Sequence, residues 1–141
     1  MTAEVPLDEE EFRRWRDEAV VALESARHQA AGGFHNWACF AAEQAAQLAV
    51  KAFLHGLGRG PWGHDLPGLV RAAADAGADV PDDVSDAALR LSHHYIPARY
   101  PDAHASGPAA ERYGPRDAEQ AVGDAELVLR MVDASWAALG A

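Results

Sequence analysis

The sequence predicts an all-α fold, an up-and-down helical bundle of four to five helices forming a single domain over residues 1–141. Three observations predict it. Apolar residues recur at three- and four-residue steps through most of the chain, the spacing of one helical face. Glycines and prolines gather between those stretches. No segment alternates apolar and polar residues for long enough to make a strand. The 141 residues, 49% hydrophobic and 24% charged, suit one globular domain with a real core.

The first helix is expected from near Asp8 to about Ala31, because Phe12, Trp15, Ala19, Leu23 and Ala26 share one face; Gly32-Gly33 ends it. The second, from about His35 or Asn36 to Leu57, is the most distinctive: NWACFAAEQAAQLAVKAFLHGLG. Trp37, Phe40, Ala41, Ala45, Leu48, Ala49, Ala52 and Phe53 make a wide apolar face, and Glu43, Gln44, Gln47 and Lys51 a narrow polar stripe. Its many alanines allow close helix approach, inside the bundle or across a dimer. RGPWGHDLPGLV reads as a loop followed by a short third helix from roughly Leu66 to Ala76, with Asp65 as N-cap and Pro67 in the first turn. A fourth helix runs from Asp82 or Asp83 to about His94, where Pro97 and Pro101 forbid continuation. Residues 95–116 read as loop. The last helix starts around Pro115 and reaches about Leu139, with Ala118, Val122, Ala125, Leu129, Val132 and Trp136 on one face.

The balance of 22 acidic to 12 basic residues, a net charge of −10, argues against a broad basic surface gripping nucleic acid. The acids gather where helices begin, in DEEE at 8–11 and DD at 82–83, where carboxylates complement the helix dipole. Around Arg99, Arg112 and Arg116 the only acids are Asp102 and Glu111, so the local balance is slightly positive. No apolar run approaches the length of a membrane span. The acidic N-terminus lacks the basic and apolar regions of a signal peptide, which leads to a cytoplasmic expectation. Cys39, the single cysteine, is expected to be a small buried thiol.

Chemistry-bearing residues concentrate in HHYIPARYPDAH, residues 93–104. No metal or other cofactor is expected: His93 and His94 diverge by about 100° on a helix, and no zinc-type spacing occurs. Phosphate-cradling glycine motifs and nucleophile elbows are absent from the sequence. An arginine and a histidine together can, however, cleave RNA without metal, histidine moving the proton and arginine stabilising the charged phosphorus centre. Arg99 and His104, with four residues between, form one such pairing; Arg90 and His94, on one helical face, form another. The plainer alternative is that Arg99 ties down the loop while Tyr95 and Tyr100 cover the core edge.

FAAEQAAQLAVKAFLHGLG, then GHDLPGLV, then HHYIPARYPDAH together resemble the HEPN domain family of small prokaryotic helical proteins, in its ARYPD-type form, over roughly residues 12–139. The resemblance implies a HEPN-like bundle, a homodimer, and a partner that is a minimal nucleotidyltransferase. It further implies a two-component, toxin–antitoxin-like module with RNA or nucleotide as ligand. In active HEPN ribonucleases an Arg is followed, after four to six residues, by a His. Arg99 and His104 meet that spacing as catalytic candidates, although Tyr100 stands where Asn, Asp or His is commoner. Three readings follow: a binding module holding its ligand at His94, Tyr95, Arg99, Tyr100 and Asp102; a metal-independent endoribonuclease toxin; and a non-catalytic dimeric scaffold.

Overall fold

The computed structural model describes residues 6–140. The reading of the acidic N-terminus rests partly on residues 1–5, which lie outside the described residues. Five α-helices follow in order: α1 Glu9–Ala31, α2 His35–Gly56, α3 Leu66–Asp75, α4 Asp82–Ser92 and α5 Pro115–Leu139. No strand occurs among the described residues, and no helix there is long and apolar enough to cross a membrane.

Side chains near the helix starts hold several ends, Asp65 among them as the sequence suggested. Asp8 accepts from the Glu11 amide at 3.0 Å, and Asp65 from the Gly68 amide at 3.2 Å. Asp117 reaches back from the first turn of α5 to the Gly114 amide at 2.8 Å. The α1–α2 hairpin turns on Gly33, whose φ of 84° is a left-handed value that costs glycine nothing.

α2 is the central helix, packed against each of the other four. Six of its alanines, Ala38, Ala42, Ala45, Ala46, Ala49 and Ala52, are fully buried, together with Val50 and Phe53. A helix lined with methyl groups lets its neighbours approach on several sides. α1 contributes Phe12, Ala19, Leu23 and Ala26 to this core, and α5 contributes Ala125, Val128, Leu129 and Val132. Trp37, placed on the apolar face by its spacing, is instead 44% exposed, because it lies on the outward line of α2. Ion pairs tie α5 to the bundle: Arg16 of α1 grips Asp133 at 3.0 and 2.7 Å, and Arg90 of α4 grips Asp124 at 3.0 and 2.8 Å.

Residues 95–116 are more ordered than a loop. After Ser92 the chain continues in hydrogen-bonded turns, with His94 N donating to Leu91 O and Arg99 N to Ile96 O. Short 3-10 turns follow at Pro101–Ala103 and Ala109–Arg112. The prolines stop an α-helix but suit the first position of tight turns, which need no amide there. The buried Asn36 side chain then anchors the segment, donating to the Ala98 carbonyl at 2.9 Å.

Candidate functional site

The segment after α4 lies against the N-terminal half of α2, and there the chemistry-bearing side chains converge. Tyr95 sits 6.3 Å from Phe40 of α2, ring centre to ring centre. The Arg99 guanidinium carbon lies 4.5 Å from the Phe40 ring, 4.5 Å from the Tyr95 ring and 5.0 Å from the Tyr100 ring. Three rings around one cation make a cation–π cradle. The Arg99 Nε donates to the Tyr95 carbonyl at 2.7 Å, which fixes the orientation of the fork. Among the described residues its two terminal nitrogens make no hydrogen bond and no carboxylate pairs with it. A planar donor pair left open in this way can take a phosphate, and the half-exposed Tyr100 ring beside it offers a face for a base.

Beneath the cradle lies a carboxylate. Glu43 is fully buried, and the amides of Gln47 (2.8 and 2.6 Å) and Gln44 (2.8 Å) donate to it. Burial is the main cause that raises its carboxyl above the ordinary carboxylate value. The amide bonds from Gln47 and Gln44, then the charges of Arg99 and Lys51, pull the other way. The Gln47 oxygen faces His64 Nδ1 at 3.4 Å, and the His64 ring stacks on Tyr95 at 4.7 Å. One connected set therefore runs from α2 through the α2–α3 loop to the turn segment.

Of the sequence candidates, Tyr95 and Tyr100 come together around Arg99, with Phe40 as the third ring. Asp102 is exposed on the 3-10 turn that follows. His94 points to another neighbour, Tyr113, with Nδ1 3.5 Å from the hydroxyl; burial lowers its pKa below the usual histidine value. His104 donates or accepts nothing at Arg99: its Nε2 is bonded to the Pro97 carbonyl at 2.7 Å, and its ring meets the Tyr113 ring edge-on at 6.3 Å. Cys39 is buried in α2, and burial pushes its thiol up to about 12, so it carries no thiolate near neutral pH. Glu43, Gln47, Phe40 and His64 were not among the sequence candidates. Glu43 and Gln47 stood in the polar stripe of α2, and half of that stripe is covered by the two segments that pack over it.

The Glu43 environment gives a signed prediction. A carboxyl whose folded-state value lies above its unfolded one binds its proton more tightly in the fold. Its contribution is fully present below the ordinary carboxylate value and is lost as pH rises through the raised folded value. Glu43→Gln keeps the shape and removes that titration. Denaturant midpoints measured for both proteins between about pH 4 and pH 8 should show wild type losing ground to the variant as pH rises, then a constant difference. A difference independent of pH would mean that Glu43 titrates alike folded and unfolded.

The HEPN domain family model matches residues 12–135. Among solved structures, TT1696 from Thermus thermophilus is similar at 40% identity and a TM-score of 0.83, over 88% of this chain and 97% of that one. ST0689, an archaeal HEPN homologue, is similar at 32% identity and a TM-score of 0.73, over 87% and 95%. The HEPN domain protein TM0613 from Thermotoga maritima is 34% identical with a TM-score of 0.67, over 85% and 94%. No curated protein matches the chain.

Proposed function

The chain belongs to the HEPN domain family, and on that premise we propose that it is a non-catalytic binding module that holds a nucleotide or RNA at Tyr95, Arg99 and Tyr100. The observation that carries this reading is the Arg99 guanidinium, cradled by three rings with its terminal nitrogens open, in a protein whose net charge is −10. Such an ion in an acidic chain marks a place for an anion, and the rings around it suit one that carries a base. Asp102, exposed on the turn that follows, borders the ligand, while His94 at the other end of the segment turns to Tyr113 and stays outside it. The module acts as a homodimer with a minimal nucleotidyltransferase partner, in a cytoplasmic, toxin–antitoxin-like pair.

Binding of labelled nucleotides and short RNA by wild type and Arg99→Ala tests this. Loss of the arginine should weaken binding by about tenfold or more, the worth of a charge-assisted pair to phosphate. Equal, undetectable binding by both proteins would end the reading. A second reading, metal-independent RNA cleavage by Arg99 and His104, draws on the His104 bond to Pro97. That carbonyl requires a proton on Nε2 and leaves Nδ1 as the basic nitrogen. It calls for RNA cut in the presence of EDTA with cyclic phosphate ends, and for that activity to vanish in the Arg99→Ala, His104→Ala double variant.

A further inference from the structure

His64 carries a ring nitrogen with no partner among the described residues, and its tautomer follows from its neighbours. Both hydrogen bonds from Gln47 to the buried Glu43 carboxylate come from Nε2, at 2.8 and 2.6 Å. Ionised, the Glu43 carboxylate accepts only, so in that state the amide cannot turn round without placing its own oxygen against Glu43. The Gln47 oxygen is therefore the end that faces His64 Nδ1, at 3.4 Å. An amide oxygen also only accepts, so Nδ1 bears the proton. In the neutral ring, Nε2 is then left with a lone pair. The order carboxylate, amide, imidazole holds the tautomer in the way a third group orients a catalytic base.

The ring is held in place as well as in tautomer. It stacks on Tyr95 at 4.7 Å with an interplanar angle of 22°, and Arg99 lies 4.5 Å from the same Tyr95 ring. Two histidines of the turn segment are committed elsewhere, His94 to Tyr113 and His104 to Pro97. His64 is exposed, and among the described residues its Nε2 has no hydrogen-bond partner. This surface thus offers an open guanidinium for an anion, an aromatic face for a base, and one oriented acceptor joined to the guanidinium through the Tyr95 ring.

We propose that His64 is a ligand-contacting residue of this site, whose Nε2 accepts a hydrogen bond from a sugar hydroxyl of a bound ribonucleotide. The proposal rests on the reading of this surface as a nucleotide site. With phosphate on Arg99 and the base on Tyr100, the donor that remains between them is the ribose hydroxyl, the group by which proteins tell RNA from DNA. His64 then sets the choice of sugar, and Glu43 and Gln47 act as positioning residues behind it.

The test compares binding of short labelled oligonucleotides of identical sequence, one ribo and one 2′-deoxyribo, to wild type, His64→Phe and Arg99→Ala, with a thermal melt confirming that each variant is folded. Phenylalanine keeps the stack on Tyr95 and removes the acceptor. Wild type should prefer the ribo strand by about fivefold, the scale of one hydrogen bond. His64→Phe should lose that preference while binding the deoxy strand as wild type does, and Arg99→Ala should weaken both strands alike. A wild type indifferent to sugar, a preference that survives in His64→Phe, or a His64→Phe effect that follows base identity instead of sugar would each overturn the role of His64 while leaving the nucleotide reading standing. Failure of wild type to bind either strand would remove both together.

Discussion

Gly56→Ala is expected to destabilise the fold by about 2 kcal/mol, a fall of roughly 6 °C in Tm. Gly56 closes α2 in a buried position where the ends of α1 and α5 meet. A Cβ built there would lie 2.4 and 2.5 Å from two ring carbons of Trp136 and 3.0 Å from the Phe12 Cβ. Trp136 has little freedom to yield, since it stacks on Phe12 at 4.1 Å and meets Phe53 edge-on at 6.4 Å. The backbone is pinned too: the Asp8 amide donates to the Gly56 carbonyl at 2.7 Å, joining the start of α1 to the end of α2. Forcing a methyl into such a place costs about 3 kcal/mol, against which alanine returns about 1 kcal/mol of helix propensity. The physical cause can be isolated with Trp136→Phe, which withdraws the two crowding atoms. Alone it should destabilise; combined with Gly56→Ala its cost should be much less than the sum, because the two positions share one contact. Strict additivity of the two melting shifts would show that the clash is not what destabilises Gly56→Ala.

The helices were legible in the sequence because each carries its own local signals. Asp8 and Asp65 sit where a side chain can hold the first amides, Pro115 suits a first turn, and the starts of α1, α3 and α5 follow from them within a residue or two. The candidate site was legible only in part. Tyr95, Arg99 and Tyr100 are close in sequence, so a turn of any shape brings them together. Glu43, Gln47 and His64 are not close to them, and no local pattern says which side of α2 the later segments will cover. A signal was present nonetheless: Glu43 and Gln47 are a polar pair four residues apart in a helix whose other positions are largely alanine, and a mostly apolar helix is buried on most sides. Polar side chains inside such a helix must find partners, and these two found each other. The turns of the 95–116 segment are hidden from the sequence for a related reason. Its prolines exclude α-helix and strand, yet tight turns satisfy the backbone without either, and the anchor from Asn36 comes from 62 positions away.

Arg90 and Arg99 stand nine positions apart, each precedes a histidine, and the structure gives them opposite tasks. Arg90→Met should cost about 3 kcal/mol of stability and leave ligand binding per folded molecule unchanged. The Asp124 side chain is 7% exposed, and Arg90 grips it through two parallel bonds of 3.0 and 2.8 Å. Removing the arginine leaves a carboxylate inside the α4–α5 contact with no counter-charge, which costs about 3–5 kcal/mol for a wholly buried pair. The Arg90 end is 43% exposed and solvent screens it, so the lower part of that range applies. Methionine keeps the aliphatic stem, so that lost packing does not imitate lost charge. Arg90→Met with Asp124→Leu should recover most of the loss, because an apolar pair needs no partner charges; a double variant as unstable as the sum of the singles would rule out the orphaned carboxylate as the cause. Arg99→Ala should behave the other way. No carboxylate is ion-paired to its guanidinium among the described residues, and Glu43 feels its charge only at a distance, so its removal should move Tm less than Arg90→Met does and ligand affinity much more. Measured side by side, the two variants separate an arginine that holds the bundle closed from one left open to a ligand, a distinction that their spacing to histidine does not contain.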